Sequence, residues 1–164
     1  MDATGADIRY KGSRAFYRRP SGGVWPKHKN GDFIQMPSLS KFPETSEFFD
    51  TAFHELAHWS EVRLKWDHEK ESYAMGELVA EITACYMSGF LGLPQSEDLT
   101  NHNEYLKSWL EGMKGDSRFI IQASAQASKV ADYLLHFCGK AENPLTRKYD
   151  DEDDSEDAVE REAA

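Results

Sequence analysis

The chain has 164 residues, is 40% hydrophobic and carries a formal net charge of −10, a composition that suits one domain with a single core. No stretch approaches the roughly 20 apolar residues of a membrane span, and the N-terminus lacks the basic and apolar segments of a secretory signal. The only cysteines, Cys85 and Cys138, are predicted as buried thiols in a reducing compartment. We therefore expect a cytoplasmic protein without membrane association.

Residues 14–19 and 32–36 predict two strands, because each holds aromatic and aliphatic residues between breakers. A loop rich in glycine and proline joins them. Seven lysines and arginines lie between residues 9 and 29, with no acid among them. A strand beside an active site can bind an extended peptide by β-pairing, and a basic loop carrying Trp25 can contact nucleic acid. A solvated hairpin is the simplest alternative.

An H-E-x-x-H motif lies inside the first predicted helix, residues 46–66. His54 and His58 are four residues apart, so they project from one face with Cβ atoms about 5–6 Å apart. Two imidazole nitrogens can then reach one zinc ion, and Glu55 lies beside the metal as a candidate general base. The alternative is two polar helix histidines beside an incidental glutamate. The predicted apolar stripe of this helix comprises Phe49, Ala52, Phe53, Leu56 and Ala57.

The second predicted helix, residues 73–91, supplies the third candidate ligand. Glu77 and Glu81 form an i,i+4 pair on a largely apolar helix, where two carboxylates repel unless a positive group compensates them. We predict Glu77 as the ligand to a single zinc ion and Glu81 as the group that orients a zinc-bound histidine. The reverse assignment and a pair that simply faces solvent both stay open. The predicted apolar stripe of this helix comprises Ala74, Leu78, Ile82, Cys85 and Phe90.

Two more helices are predicted, over residues 103–113 and from about 116 to 137. His102 and Tyr105 are the only candidates in this region for a donor that stabilises a developing oxyanion above the metal. The small residues of the last helix favour close packing against a neighbour; they are Ala123, Ser124, Ala127 and Ala131.

Most of the negative charge lies at the C-terminus. Residues 150–164 hold nine acids and one arginine, so the remaining chain is nearly neutral. Such a block repels itself and lacks aromatic residues, which favours disorder. We predict one domain over residues 1–140 and a disordered acidic tail over residues 141–164. The tail is either a solubilising segment or an electrostatic decoy that imitates DNA toward a basic partner.

Several of these motifs occur in an order that resembles a known family. They are residues 34–37 (IQMP), 54–59 (HELAHW), 73–74 (YA) and 77–81 (ELVAE). Together they resemble the zincin-like metallopeptidase domain of ArdC-type antirestriction proteins. This domain belongs to the gluzincin branch and has relatives in the polyvalent proteins of phages and conjugative plasmids. The resemblance covers about residues 8–137.

The resemblance implies an α+β zincin-like fold, in which a small N-terminal β-sheet packs on the HExxH helix and further helices. It implies a zinc-dependent metallopeptidase that hydrolyses peptide bonds in a protein or peptide substrate. The implied role is antirestriction, the protection of invading plasmid or phage DNA inside a bacterial cell.

The chain also departs from the family pattern. The family usually has glutamate where this chain has Gly76, and Thr-Gly where it has Ser60-Glu61; neither departure falls on a proposed ligand. Full-length members carry an N-terminal domain that binds single-stranded DNA, and because this chain starts almost at the peptidase domain, DNA binding is not carried over.

A different class of function is also open. The zinc site could serve only to stabilise the fold. The tail or the basic hairpin would then bind a host restriction factor and block it without proteolysis. The chain could instead accompany DNA-transfer or primase machinery, in which case salt-dependent binding to single-stranded DNA is expected.

Overall fold

The computed structural model describes residues 1–20, 31–66, 72–94 and 103–142, with the backbone alone for residues 103–108. Three strands precede four helices, as the α+β prediction requires. The strands are β1 (Ile8–Tyr10), β2 (Phe16–Arg18) and β3 (Phe33–Met36). The helices are α1 (Thr45–Arg63), α2 (Tyr73–Leu91), α3 (Asn103–Gly115) and α4 (Phe119–His136).

The three strands form one mixed sheet with β3 at its centre. β1 runs parallel to β3, with Ile8 opposite Ile34, and β2 runs antiparallel, with Tyr17 opposite Ile34. Side chains two residues apart share a face, so Ile34 and Met36 both enter the core. The predicted strands around β2 and β3 are confirmed. Strand β1 was not predicted, because three residues show too little alternation to indicate a strand.

A polar network ties the sheet to the end of α1. Asp32 accepts hydrogen bonds from the Tyr17 hydroxyl at 2.8 Å and from Arg63 at 3.0 Å. The guanidinium of Arg63 also lies 3.4 Å from the centre of the Trp59 ring. These contacts hold β2 beside α1, which carries the H-E-x-x-H motif.

The buried face of α1 is the predicted one. Four residues of its expected apolar stripe are buried and Phe49 is partly buried against the core. The histidines lie beside this stripe and are only partly exposed. The apolar face therefore fixes the rotation of α1 and, with it, the direction of the motif.

The buried face of α2 matches the predicted one only in part. Of the expected stripe, Leu78 is buried, Ala74 and Ile82 are partly buried against the core, and Cys85 and Phe90 are exposed. The helix packs against both α1 and α4, and most of its residues are apolar, so hydrophobic spacing alone could not select the inner faces. The buried residues of α2 are Met75, Glu77, Leu78, Val79, Ala80, Thr83, Ala84, Met87 and Ser88.

The prediction of buried cysteines was also wrong. Cys85 and Cys138 are both exposed and unpaired with each other. Cys85 lies on the outer side of α2, and Cys138 follows the end of α4, where the chain leaves the core. A helical position was therefore not enough to infer burial.

Helix α4 closes the core on the other side of α2. Its residues Ala123, Ala127 and Ala131 are 0%, 0% and 1% exposed, which confirms the predicted close packing. The helix begins at Phe119, slightly later than expected. Asp116 lies just before it and accepts a hydrogen bond from the backbone N–H of Arg118 at 2.9 Å.

Two predictions concern residues outside the described ranges. The acidic tail from residue 143 onward and the loop over residues 21–30, which contains Trp25, both lie there and stay predictions. Among the described helices, none combines the length and apolar character needed to cross a membrane.

Candidate metal centre

Two histidines of α1 face one point. His54 and His58 are one helical turn apart, and their ring centroids are separated by 4.9 Å. Their Nε2 atoms approach each other to 3.2 Å. The i,i+4 spacing thus directs two imidazole nitrogens toward a common position.

Glu77 reaches the same position from α2. Its Oε2 lies 3.4 Å from His54 Nε2, and its Oε1 lies 3.6 Å from His58 Nε2. Three donors held about 2.0–2.1 Å from a tetrahedral ion would stand about 3.3–3.4 Å from one another. The measured separations are close to this value, although they involve a different Glu77 oxygen for each histidine. This group of two imidazoles and one carboxylate could therefore hold a divalent cation.

Each histidine has its own carboxylate on the opposite side of its ring. His54 Nδ1 lies 3.2 Å from Glu81 Oε1, and His58 Nδ1 lies 2.9 Å from Glu61 Oε1. A neutral imidazole that donates its Nδ1–H to a carboxylate keeps its Nε2 lone pair for a metal. These carboxylates therefore favour the tautomer that metal binding needs, and they fix the orientation of the rings.

The acids around the histidines favour positive charge. Burial lowers the pKa of His54, but hydrogen bonds with Glu77 and Glu81 outweigh it and raise this pKa to about 10. Burial raises the pKa of Glu77, but the hydrogen bond to His54 and the charge of His58 hold it below its usual value. The carboxylates that favour an imidazolium would equally favour a divalent cation.

Glu55 occupies a buried position between the two histidines of the motif and strand β2 of the sheet. Its side chain is nearly enclosed, and burial raises the pKa of its carboxyl, although His54 and His58 oppose this shift. The backbone N–H of Tyr17 donates a hydrogen bond to its carboxylate. Strand β2 therefore helps to position the candidate general base.

A cavity of about 370 Å³ opens beside the candidate ligands. Tyr73, at the start of α2, stands one turn before Glu77 and hydrogen-bonds to it. The cavity therefore gives access to two of the candidate ligands, His58 and Glu77. Its lining residues are Tyr17, Arg19, His58, Glu61, Ser72, Tyr73, Gly76 and Glu77.

The structure brings together most of the predicted site. Glu77 faces both Nε2 atoms, whereas Glu81 faces Nδ1 of His54. His102 lies outside the described residues, and Tyr105 belongs to the part of α3 whose side chains are not described. An oxyanion role for these two residues stays a prediction, as do the binding roles of the other members.

Two residues next to the site, Glu61 and Arg19, were not predicted as part of it. Glu61 was noted only as a departure that falls on no ligand, yet its carboxylate contacts the ligand candidate His58. Its spacing of i+3 from His58 was the signal available. Arg19 forms an ion pair with Glu61 across 42 positions of sequence, and no local pattern predicts such a pairing.

The sequence pattern of zincin-like metallopeptidases matches residues 1–126 of the chain. The chain therefore belongs to the zincin-like metallopeptidase family. This membership confirms the predicted family resemblance and agrees with the arrangement of a small sheet followed by helices.

The chain is also similar to two known proteins, TraC and ArdC. It is 34% identical over 144 residues to the DNA primase TraC of Escherichia coli, an alignment that covers 84% of this chain and 12% of TraC. The metal-free crystal structure of the antirestriction protein ArdC from plasmid R388 is similar, with a TM-score of 0.69 and 33% identity, over 87% of this chain and 50% of ArdC. The Mn(II)-bound ArdC structure gives a TM-score of 0.62 and 32% identity, over 86% and 51%. The chain thus spans about half of ArdC and a small part of TraC.

Proposed function

We propose that the chain is a zinc-dependent metallopeptidase that hydrolyses peptide bonds in a protein or peptide substrate. One observation carries the proposal. The Nε2 atoms of His54 and His58 lie 3.2 Å apart, and each lies 3.4 to 3.6 Å from an oxygen of Glu77. The buried carboxyl of Glu55 interacts electrostatically with both histidines. Membership in the zincin-like family supports the same reading.

Zinc is the proposed ion because two imidazoles and one carboxylate are typical ligands of catalytic zinc. The spacing of the donors also suits the short metal–ligand distances of a tetrahedral site. ArdC of plasmid R388 has been crystallised with Mn(II). The identity of the metal in this chain therefore needs its own test, apart from the test for a metal site. Elemental analysis of the purified protein tests it, with one zinc per chain as the expected result.

The residues of the chain would divide the chemistry between them. A bound ion supplies a Lewis acid that polarises the scissile carbonyl and activates water. Glu55 accepts the proton of the attacking water and passes it to the leaving amine. Its raised pKa strengthens it as a base. Because β2 is an edge strand of the described sheet and borders the cavity, it can guide an extended peptide toward the site.

The proposed biological role is antirestriction on behalf of a plasmid or phage in the cytoplasm of a bacterial host. The similarity to ArdC supports this role. The partner would then be a host protein, such as a restriction factor, that the peptidase cleaves.

The substitution Glu55→Gln tests the proposed reaction. It keeps the size of the side chain and removes the base, so cleavage is expected to fall about 10²- to 10⁴-fold while metal content stays at one ion. Activity is measured on a proteome-derived peptide library, and metal content by elemental analysis. Glu47→Gln is the matched control, because it makes the same change on the same helix about three turns from His58. A Glu55→Gln protein that still cleaves would rule out this mechanism.

A second candidate function is a metal-stabilised module that acts by binding rather than cleavage. The similarity to TraC supports it, because TraC is named as a DNA primase rather than as a peptidase. Glu55→Gln separates the two candidates in a plasmid-transfer assay against a restricting host. Loss of protection supports the peptidase. Full protection by Glu55→Gln, lost when residues 143–164 are deleted, supports the binding module.

A further inference from the structure

We propose that Glu61 is a positioning residue that holds the ring of His58 for the metal, and that Arg19 fixes Glu61 in this role. The inference rests on the metal site of the proposed function. Glu61 is the most deeply buried acid of the described residues, with 2% of its surface exposed. Neither Glu61 nor Arg19 belongs to the H-E-x-x-H motif or to the α2 carboxylate pair.

The two oxygens of Glu61 have different partners. Oε1 lies 2.9 Å from His58 Nδ1, and Oε2 accepts a hydrogen bond from the Arg19 guanidinium. A buried carboxylate costs free energy unless it is paired with a cation and hydrogen-bonded. Here Oε2 is paired with the Arg19 guanidinium, and Oε1 accepts a hydrogen bond from His58. Because His58 must be neutral to offer Nε2 to a metal, Arg19 is the cation that compensates Glu61.

The neighbouring helix leaves room for this arrangement. Gly76 of α2 stands opposite, and a Cβ at this position would lie 3.9 Å from Glu61 Oε1. An alanine there would make ordinary contact, whereas a longer side chain would compete with the carboxylate for the same space. The acid on α1 therefore occupies space that α2 leaves open.

The ion pair also joins the metal site to the sheet. Arg19 directly follows β2, the strand whose Tyr17 N–H holds Glu55. Tyr17, in the middle of β2, thus contacts the candidate base, and Arg19, the residue after the strand, reaches the candidate ligand His58 through Glu61. We expect bound metal to hold this strand more firmly against α1.

Metal affinity of the full chain tests the inference. The dissociation constant for Zn²⁺ is measured by competition with a chromogenic chelator for wild type, Glu61→Gln, Arg19→Met and the double variant. Loss of a carboxylate that orients a ligand typically weakens metal binding about 10- to 100-fold, and this is the expected effect of Glu61→Gln. Arg19→Met should weaken binding in the same direction. The double variant should be no weaker than Glu61→Gln, because both residues act through one contact.

Two further readouts separate positioning from general damage to the fold. Glu47→Gln and Arg14→Met, the matched controls, should bind Zn²⁺ like wild type. In the Co²⁺-substituted protein, Glu61→Gln should change the visible absorption bands, since the orientation of His58 alters the ligand field. Hydrogen exchange of residues 16–18 should slow on metal binding in wild type and less so in Glu61→Gln.

The outcomes are distinct from those of the proposed function. Unchanged Zn²⁺ affinity in folded Glu61→Gln overturns the inference even if the wild type is an active peptidase. Weakened affinity supports it even if the wild type proves not to cleave peptides. A wild type that binds no divalent ion overturns both. If Glu61→Gln does not fold, Arg19→Met decides, because Arg19 is partly exposed and its removal leaves no core cavity.

Discussion

Helix α2 packs against α1 on one side and against α4 on the other, and the two contacts differ in chemistry. Toward α1 it presents Glu77 and Glu81, which meet His54. Helix α4, in contrast, buries a line of alanines: Ala123, Ala127 and Ala131. One contact gathers groups that are costly to bury, and the other is made of groups that pack closely without polar demands.

The difference indicates which contact serves stability and which serves a site. Four acids lie around the two histidines: Glu55, Glu61, Glu77 and Glu81. Such a group is a poor choice for holding helices together, because the like charges repel and burial removes their hydration. They become favourable when a cation joins them. The α1–α2 contact is therefore expected to gain stability from metal, whereas the packing of α4 is expected to be indifferent to it.

The largest expected effect comes from the substitution Glu77→Ala, which removes a candidate metal ligand from the α1–α2 contact. Two imidazoles alone should bind Zn²⁺ far more weakly than the complete set. At a free Zn²⁺ concentration 100 times the wild-type dissociation constant, the wild type should gain about 2.7 kcal/mol in free energy of unfolding, and Glu77→Ala almost nothing. Thermal unfolding with and without Zn²⁺ measures the gain. An equal gain in both proteins would place the ion elsewhere.

The candidate site was more predictable from sequence than the core was. His54, His58, Glu77 and Glu81 are placed by i,i+4 spacing within two helices, and such spacing is local information. The departures at Gly76 and Glu61 looked unrelated in sequence, yet they lie against each other across α1 and α2. Contacts of this kind depend on how two helices meet, which no single segment encodes.

Other features could not be read from one segment for the same reason. The strand β1 exists because β3 offers it a parallel partner, through bonds such as Ile34 N–H to Asp7 O at 2.9 Å. The exposed side of α2, with Cys85 and Phe90, is set by the positions of α1 and α4. Periodicity identified these helices, but packing decided which of their faces is buried.

A smaller effect is expected from the substitution Ala127→Leu, which disturbs the close packing of α4. Ala127 is fully buried, so three added carbon atoms must displace neighbours, at a cost of about 1–3 kcal/mol in free energy of unfolding. Zn²⁺ affinity should stay as in wild type, because no candidate ligand lies on α4. Urea denaturation and chelator competition measure the two quantities.

The control for this substitution lies on the same helix. Ala125→Leu makes the identical change at an exposed position, so its stability should lie within about 0.5 kcal/mol of wild type. If Ala127→Leu weakened Zn²⁺ binding as strongly as it weakened folding, the separation between a functional and a structural contact of α2 would be wrong.

The smallest expected effect concerns the C-terminal end of α2, beyond the candidate ligands Glu77 and Glu81. Gly92 lies in the left-handed region, with a φ of 67°. Its backbone N–H donates a hydrogen bond to Gly89 O, and the N–H of Leu93 donates one to Ser88 O. This is a Schellman motif, and a Cβ in that conformation costs about 1–2 kcal/mol. Gly92→Ala should therefore lower the free energy of unfolding by about 1 kcal/mol and leave Zn²⁺ affinity unchanged.

Gly89→Ala is the matched control for the helix end. Gly89 lies inside the helix. Among the described residues, no atom outside the surrounding helix backbone and its chain neighbours lies within 4 Å of where its Cβ would be. Alanine favours the helical conformation, so this change should stabilise the protein by up to about 1 kcal/mol. Urea denaturation measures the change in free energy of unfolding for both substitutions. A decrease for Gly92→Ala and an increase for Gly89→Ala would show that the helix end depends on backbone conformation. A stabilising Gly92→Ala would instead mean that α2 does not end at Leu91, and that the chain beyond it leaves the helix in another way.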